Sequence, residues 1–249
     1  MADKFTTDFQ VYTYQADSRE YVRPNYLFGF FIEAASMHAE NLNVGHSSLR
    51  EKFNAFWALS KFHIDIIDTP RWHQTIKVIT WPAEYNRLFS RRYFQITSND
   101  GKLMAQGASD WVIMDYGTRN LCNAQTILDQ IPEFTLTDEH LDSRTCKVPM
   151  ANKELSGTFN LKSRYSHLDM NNHVNSVHYL DWAIDCIDNT YQNEHLVKSA
   201  DLNFQHEIPA NEDVALLCQK IGDDQFIVTG TSIGKTSFLA KIEFGPISK

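Results

Sequence analysis

The sequence predicts an α+β protein made of two similar units in tandem. Each half of the 249-residue chain has an apolar segment with helical spacing, followed by short strand-like segments separated by turn signals. The two halves also resemble each other locally, since residues 61–78 are similar to residues 202–217, with a longer loop expected in the first copy. A long helix wrapped by a curved antiparallel sheet, present twice, fits this order.

The first half predicts one long helix and three strands. The helix begins at Pro24, which suits the first helical position, and is apolar on most sides, as is typical of an enclosed helix. Strands are predicted at 75–81, 91–98 and 102–115, because these short segments are rich in β-branched and aromatic residues. The turn residues at 99–101 join the last two strands as a hairpin.

The second half repeats this plan. A strand-like segment at 157–166 leads to a helix predicted at about 172–189, and three further strands are predicted at 213–220, 224–232 and 236–244. We therefore expect an N-terminal domain over residues 1–140 and a C-terminal domain over residues 155–249. The segment 131–155 is the expected connector.

Composition excludes several classes of protein. At 43% hydrophobic and 22% charged, the chain can bury a core and is not a disordered tail. A formal net charge of -8 disfavours nonspecific binding to nucleic acid, and an acidic protein partner would need a local basic patch. The candidate patches are Arg71, Arg87, Arg91 and Arg92, and a second set of Lys147, Lys162 and Arg164, although either set also fits an ordinary solvated surface.

The sequence favours a cytoplasmic protein without a membrane span. Its first residues lack the basic and apolar regions of a signal peptide, and no apolar run reaches eighteen residues. The cysteines at 122, 146, 186 and 218 are widely spaced and form no CxxC pair. They are expected to be reduced thiols.

The most informative stretch for function is RYSHLDMNNHVNSVHYLDW, at residues 164–182. Asp169, Asn171 and His173 alternate just ahead of the predicted helix, and Asn171 and Asn172 are candidate N-caps. This order places a carboxylate, an amide and an imidazole at a helix N-terminus. Backbone amides and the positive end of the helix dipole can stabilise a developing oxyanion there.

The same stretch resembles the D-x-N-x-H segment of the acyl-acyl carrier protein thioesterases, enzymes built from two hot-dog domains that release fatty acids. Those enzymes carry a Glu-Cys pair about thirty-four residues after the His, and here Glu207 stands at that spacing while Ile208 replaces the Cys. The resemblance covers nearly the whole chain. It implies a double hot-dog fold and hydrolysis of acyl-acyl carrier protein, without a metal or cofactor.

The resemblance implies a catalytic set of Asp169, Asn171, His173 and Glu207. Either carboxylate can act as general base on water or attack the thioester directly, while the imidazole orients it and the amide orients water or carbonyl. We favour water activated by Glu207 with His173 and Asn171, with Asp169 positioning the group or sharing the base role. A cysteine nucleophile cannot carry over.

The first half contains no D-x-N-x-H, and Asp65 stands roughly at the position of Glu207. We therefore expect a single active site, with the first half binding the acyl chain. Candidate tunnel side chains are Phe31, Trp57, Trp72 and Phe89.

Other interpretations remain open at this stage. The motif can be a plain capping turn with a satisfied histidine, and Glu207 a solvent-facing charge at a strand end. The chain can also be an acyl-CoA thioesterase, an acyl dehydratase or a non-catalytic acyl-chain binding protein. A phosphate loop at 230–237 is disfavoured because Thr229 stands where that motif needs Gly, and an iron site from His167, Asp169 and His206 uses residues that match often by chance.

The sequence thus predicts a hydrolase whose partner is an acyl carrier protein bearing an acyl-phosphopantetheine. It is compatible with a homodimer and does not set the acyl chain length.

Overall fold

The computed structural model describes residues 4–247 and divides into two compact units, Met1–Thr145 and Cys146–Lys249. Each unit contains five antiparallel strands, one main helix and one or two shorter helices. The main helix has 18 residues in the first unit and 10 in the second. The predicted α+β class, two helix-plus-sheet units in tandem, is confirmed.

The first unit runs β1, α1, α2, β2, β3, β4, β5 and α3 in chain order. The strands are β1 (Phe5–Gln10), β2 (Ala55–Ile66), β3 (Thr75–Tyr85), β4 (Ser90–Ser98) and β5 (Leu103–Asp115). The helices are α1 (Pro24–Asn41), α2 (His46–Phe53) and α3 (Ala124–Leu128).

The second unit runs β6, α4, α5, β7, β8, β9 and β10. The strands are β6 (Gly157–Lys162), β7 (His195–Phe204), β8 (Asp213–Lys220), β9 (Gln225–Ser232) and β10 (Lys235–Pro246). The helices are α4 (Ser176–Asp185) and α5 (Asn189–Glu194).

The two sheets have the same topology. The strand order is β1-β3-β4-β5-β2 in the first unit and β6-β8-β9-β10-β7 in the second, and neighbouring strands within each unit are antiparallel. Each strand of one unit therefore has a counterpart in the other, with β2 corresponding to β7 and β3 to β8. This correspondence allows the loops of the two units to be compared residue by residue.

Helix α1 is enclosed by its own sheet, as its apolar sequence predicts. Phe28 stacks on Phe62 with ring centroids 4.0 Å apart, and Phe31 stacks on Phe94 at 4.7 Å. All four rings are fully buried. Burial of large aromatic side chains on this scale is a major part of the stability of the unit.

Helix α4 is shorter and packs through aromatic rings. Tyr179 contacts Phe204 and Phe238, with ring centroids 5.6 and 4.9 Å apart, and lies edge-on to Trp182. Phe238 is fully buried beneath Gly230 of β9. The second unit therefore fixes α4 by seating Tyr179 against the sheet.

The helix predicted at 172–189 is wrong at both ends. The structure has α4 and α5 instead, because Asn175 caps α4 by accepting the N–H of Val177, and Asp188 caps α5 by accepting the N–H groups of Thr190 and Tyr191. The caps start two helices where apolar periodicity alone indicates one.

Several elements were not predicted, namely strands β1, β2 and β7 and helices α2, α3 and α5. The loop expected to be longer in the first copy has the same length in both, since residues 67–74 correspond to residues 205–212.

The connector is attached to the first unit through polar contacts. Trp81 donates its indole N–H to the carbonyl of Glu139 at 2.8 Å, and Thr145 donates its hydroxyl to Asp110 at 2.6 Å. These contacts hold residues 139–145 against the strands that carry Trp81 and Asp110.

We predict that Gly230→Ala destabilises the protein by about 1–3 kcal/mol, because a Cβ there would overlap the buried ring of Phe238. The melting temperature should fall by several degrees. Gly222→Ala is the matched control, since its Cβ would lie in ordinary contact with Gln225 at 3.7 Å. An unchanged melting temperature for Gly230→Ala would show that Phe238 does not seat α4 as described.

Candidate active site

The motif loop, residues 164–175, is organised by the carboxylate of Asp169. Its Oδ1 accepts the backbone N–H of Asn171 at 2.8 Å and of His173 at 3.2 Å. The backbone N–H of Asp169 in turn donates to the carbonyl of His173 at 2.8 Å. Asn172 has a φ of 62°, in the left-handed region. The result is a tight turn that sets the direction of the histidine.

This turn corrects the predicted capping arrangement. Neither Asn171 nor Asn172 is an N-cap, because the cap of α4 is Asn175. The N–H groups of residues 171 and 173 are occupied by the Asp169 carboxylate. They are therefore not available as the oxyanion-binding donors that the sequence suggested.

The acid loop, residues 205–212, brings Glu207 to the motif loop. It begins after β7 ends at Phe204, so Glu207 lies in a loop and not in a strand. The backbone N–H of Val174 donates to the carbonyl of Ile208 at 2.9 Å and joins the two loops.

Glu207 and His173 form the central pair of the site. Nε2 of the imidazole lies 3.5 Å from Oε2 of the carboxylate. The glutamate side chain is 48% exposed and the histidine side chain 21% exposed. Nδ1 of His173 is buried and has no hydrogen-bond partner among the residues that the structure describes. A half-exposed carboxylate therefore meets an imidazole whose other ring nitrogen is buried.

Asn171 completes the group from the exposed side of the motif loop. Its side-chain amide lies 3.5 Å from Oδ2 of Asp169, at the outer limit of a hydrogen bond. The predicted residues Asp169, Asn171 and His173 thus share one turn, and Glu207 faces it from the adjacent loop.

Tyr179 was missed by the sequence reasoning. It is 4% exposed, and its hydroxyl is hydrogen-bonded to the backbone of Ile208, the residue next to Glu207. Burial, with smaller contributions from the negative charges of Glu207 and Asp169, raises the pKa of Tyr179 well above its ordinary value. The neutral hydroxyl therefore braces the acid loop. Only the three-dimensional contact between α4 and this loop indicates that role.

The first unit contains a second copy of these two loops, at residues 12–23 and 67–74. Oδ1 of Asp17 accepts the N–H of Arg19 at 2.8 Å and of Tyr21 at 3.1 Å, as the aspartate of the motif loop does. In both copies the aspartate N–H donates, at 2.8 Å, to the carbonyl four residues later. Glu20 and Asn172, which directly precede the residues that supply these carbonyls, both have a left-handed φ.

The contact between the loops is repeated as well. The N–H of Val22 donates to the carbonyl of Pro70 at 2.9 Å, which matches the bond from Val174 to Ile208. The backbone correspondence therefore extends across both loops and assigns each side chain of the site a counterpart in the first unit.

This correspondence corrects the expectation that Asp65 stands in place of Glu207. Thr69 occupies that position, while Asp65 lies within β2. Tyr21 and Arg19 replace the imidazole and the amide. Of the four predicted catalytic residues, only the aspartate has an identical counterpart.

The described residues contain no group of three or more His, Cys, Asp or Glu side chains that could hold a metal ion. His167, Asp169 and His206 therefore do not form the iron site considered from the sequence. Within residues 4–247, no helix combines the length and the apolar character that crossing a membrane requires.

Two family models cover most of the chain. The N-terminal domain of the acyl-ACP thioesterases, where ACP is acyl carrier protein, matches residues 2–131, and the C-terminal domain matches residues 150–245. The chain belongs to the acyl-ACP thioesterase family. The resemblance noted in the D-x-N-x-H segment is thereby confirmed.

Curated members of the thioesterase family include plant proteins. An oleoyl-acyl carrier protein thioesterase of Arabidopsis thaliana is 25% identical over 225 residues, which is 82% of this chain and 60% of the relative. A second one is 23% identical and aligns with 92% of this chain and 65% of its own length. The chain thus spans about three fifths of the length of these relatives.

Solved structures of acyl-ACP thioesterases share the fold. One from Bacteroides thetaiotaomicron has a TM-score of 0.86 at 21% identity, covering 96% of this chain and 97% of its own. The 12:0-ACP thioesterase of Umbellularia californica has a TM-score of 0.88 at 20% identity, covering 98% of both chains. The double hot-dog fold is confirmed.

The prediction that Arg91 and Arg92 belong to a basic patch for an acidic carrier is wrong. Arg92 is buried, its guanidinium contacts His38 at 3.0 Å and Thr80 at 3.3 Å, and burial lowers its pKa to about 9. Arg91 is bound by Asp110 and Glu84. These arginines hold the sheet of the first unit and are not a free docking surface.

We predict that Asp169→Ala and Asp17→Ala each destabilise the protein by about 1–2 kcal/mol, because each removes two hydrogen bonds from a carboxylate to backbone N–H groups. The Asn variants should lose less, since an amide oxygen still accepts. Thermal unfolding of the four variants measures this. Wild-type stability of Asp169→Ala beside a destabilised Asp17→Ala would show that the motif loop does not depend on its aspartate.

Proposed function

We propose that the protein hydrolyses the thioester of acyl-ACP and releases the free fatty acid. The observation that carries this proposal is the pairing of Glu207 with His173 across two loops that belong, by sequence, to the acyl-ACP thioesterase family. Named relatives act on acyl-ACP, according to their descriptions.

Glu207 is the proposed general base. Its carboxylate is half-exposed and can reach a water molecule. The imidazole of His173, 3.5 Å away, orients the carboxylate and shares the proton that the carboxylate takes from the water.

Asp169 is proposed to position the site and not to act as base. Its Oδ1 is already bound by two backbone N–H groups, and Asp17 makes the same bonds in a loop that has neither the histidine nor the glutamate. The aspartate thus serves the shape of the turn wherever it occurs. Asn171, on the exposed side of this turn, orients the water or the carbonyl oxygen.

A thiol nucleophile has no place in this mechanism. Ile208 occupies the position where relatives were expected to carry a cysteine, and it is fully buried. Burial raises the pKa of Cys186 to about 12 and of Cys218 to about 11, so neither is a ready thiolate.

The units are proposed to divide the work, with residues 1–140 binding the acyl chain and residues 155–249 carrying the catalytic set. A cytoplasmic location and a possible homodimer remain predictions, as does preference for ACP over CoA. Among the four candidate tunnel residues, Phe31 is fully buried and stacks on Phe94, so in this structure it belongs to the packed core of the first unit.

We expect Glu207→Gln and His173→Ala each to lower kcat by about 100-fold or more, as for a general base and its orienting partner. Release of thiol from matched acyl-ACP and acyl-CoA substrates of several chain lengths measures this and also ranks the two carriers. Melting temperatures close to wild type serve as the folding control. Wild-type turnover in either folded variant would remove that residue from the mechanism.

Alkylation of the accessible cysteines should leave hydrolysis largely intact, because no thiol belongs to the proposed set. Iodoacetamide treatment followed by mass spectrometry counts the modified thiols, and residual activity is measured on the same sample. Loss of activity in proportion to modification of one cysteine, with the fold preserved, would replace the carboxylate mechanism by a thiol mechanism.

A further inference from the structure

We propose that the loop pair of the first unit, residues 12–23 and 67–74, is the surface that docks the acidic carrier protein. The arginine patch of this surface consists of Arg19, Arg23 and Arg71. This inference rests on the proposed function for its partner, and on the comparison of the two loop copies for its location.

The two copies share a backbone but differ in charge. The first carries three arginines and three acidic residues, Asp17, Glu20 and Asp68, of which Asp68 pairs with Lys102 outside the loops, whereas the second carries one arginine and three acidic residues, at 169, 207 and 212. Because the backbone hydrogen bonds match, these differences are not needed to shape the loops. The change from a net negative loop pair to a neutral one that exposes Arg23 and Arg71, in a chain of net charge -8, therefore favours binding to an anionic partner.

The guanidinium groups of Arg71 and Arg23 are held by contacts within the first unit. Arg71 donates to the hydroxyl of Tyr21 at 2.6 Å and lies 4.2 Å from the centre of its ring. Arg23 donates to the carbonyls of Tyr14 and Ala16 at 3.0 and 3.3 Å. Both arginines are exposed, so their remaining N–H groups face solvent. Guanidinium groups fixed in this way lose less conformational freedom when they bind carboxylates.

Arg19 is less available to a partner than Arg23 and Arg71, because a neighbouring carboxylate offsets its charge. Its guanidinium is bound to Asp17 at 2.6 Å, and its side chain is 27% exposed. Arg23 and Arg71 are therefore the two cations expected to meet the partner directly.

An aromatic groove of about 390 Å³ adjoins the patch. Its walls include Tyr12 and Tyr14, which are 51% and 63% exposed, together with Tyr26 and Phe30. Arg23 lies 5.7 Å from the ring centre of Tyr26 and links the patch to the groove. Tyrosine and arginine are the residue types enriched where protein partners bind tightly.

The lining of the groove also includes two acidic residues. Glu33 lies there with Asp8, and Asp8 pairs with Lys77 at 3.3 Å. An acidic partner would place its carboxylates over Arg23 and Arg71 and away from these two acids. Charge arranged in this way fixes orientation and raises the rate of encounter.

The test reverses the charge of Arg23 and Arg71 together, as Arg23→Glu with Arg71→Glu. For acyl-ACP, kcat/KM should fall by about tenfold at low salt and the remaining activity should lose its salt dependence, because exposed charges act over about 10 Å at 0.1 M salt. Hydrolysis of a small acyl-N-acetylcysteamine thioester should change by less than twofold.

The matched control is Lys52→Glu with Lys235→Glu, two exposed lysines whose reversal alters the net charge equally. It should leave both substrates unaffected. An equal loss on both substrates in the arginine variant, no loss on either, or an equal loss in the lysine control would each overturn the docking assignment. Because Arg71 contacts Tyr21, the single variant Arg23→Gln, with a melting temperature measured beside it, guards against a folding artefact and should show a smaller loss of the same kind.

Binding is measured separately from hydrolysis with fluorescently labelled holo-ACP that carries no acyl chain. Wild type and the lysine control should bind it, and the double arginine variant should bind at least several-fold more weakly. If the thioesterase assignment fails, no substrate is hydrolysed while this binding difference persists. If the docking assignment fails, hydrolysis is normal and the binding difference is absent. Competition by free CoA, but not by apo-ACP, would indicate a nucleotide site and overturn the proposal.

Discussion

The candidate site depends on the hydrogen bonds that the Asp169 carboxylate accepts from two backbone N–H groups. They close a turn in which residue 172 adopts a left-handed φ, and they aim His173 toward the acid loop. The bond from Val174 to Ile208 then fixes the distance between the loops. Without this turn, the chain could continue the helix toward residue 172, as the apolar periodicity suggests, and the imidazole would not face Glu207.

The first unit has the same backbone arrangement in its two loops but carries different side chains there. Asp17 closes the same turn, yet Tyr21 and Thr69 stand where the histidine and glutamate would be. A single backbone framework therefore supports two sets of side chains. One set brings a carboxylate and an imidazole together, and the other presents arginines and tyrosines on the surface. The presence of an aspartate in both loops supports the proposal that Asp169 shapes the turn and is not the base.

The sequence predicted the fold class and the family, because helical spacing, turn signals and the D-x-N-x-H segment are local patterns. It also proposed four site residues, which the structure brings onto two adjacent loops while their roles stay a prediction. It could not predict where α4 begins, since the cap at Asn175 competes with earlier asparagines that the turn engages instead. It also missed the copy of the motif loop at residues 12–23, because only the aspartate is shared and the match lies in backbone hydrogen bonds. Burial of Arg92 and the contact of Tyr179 with the acid loop arise from tertiary packing, which spacing does not report.

The central claim, that Glu207 is the base and Asp169 shapes the turn, is tested most directly by the pH dependence of kcat/KM in wild type, Asp169→Asn and Glu207→Gln. The acid limb of this profile reports protonation of the essential base in the free enzyme. The account predicts that Asp169→Asn keeps the wild-type profile at a reduced height, while Glu207→Gln displaces or abolishes the acid limb. The opposite result, an acid limb lost in Asp169→Asn and retained in Glu207→Gln, would contradict it.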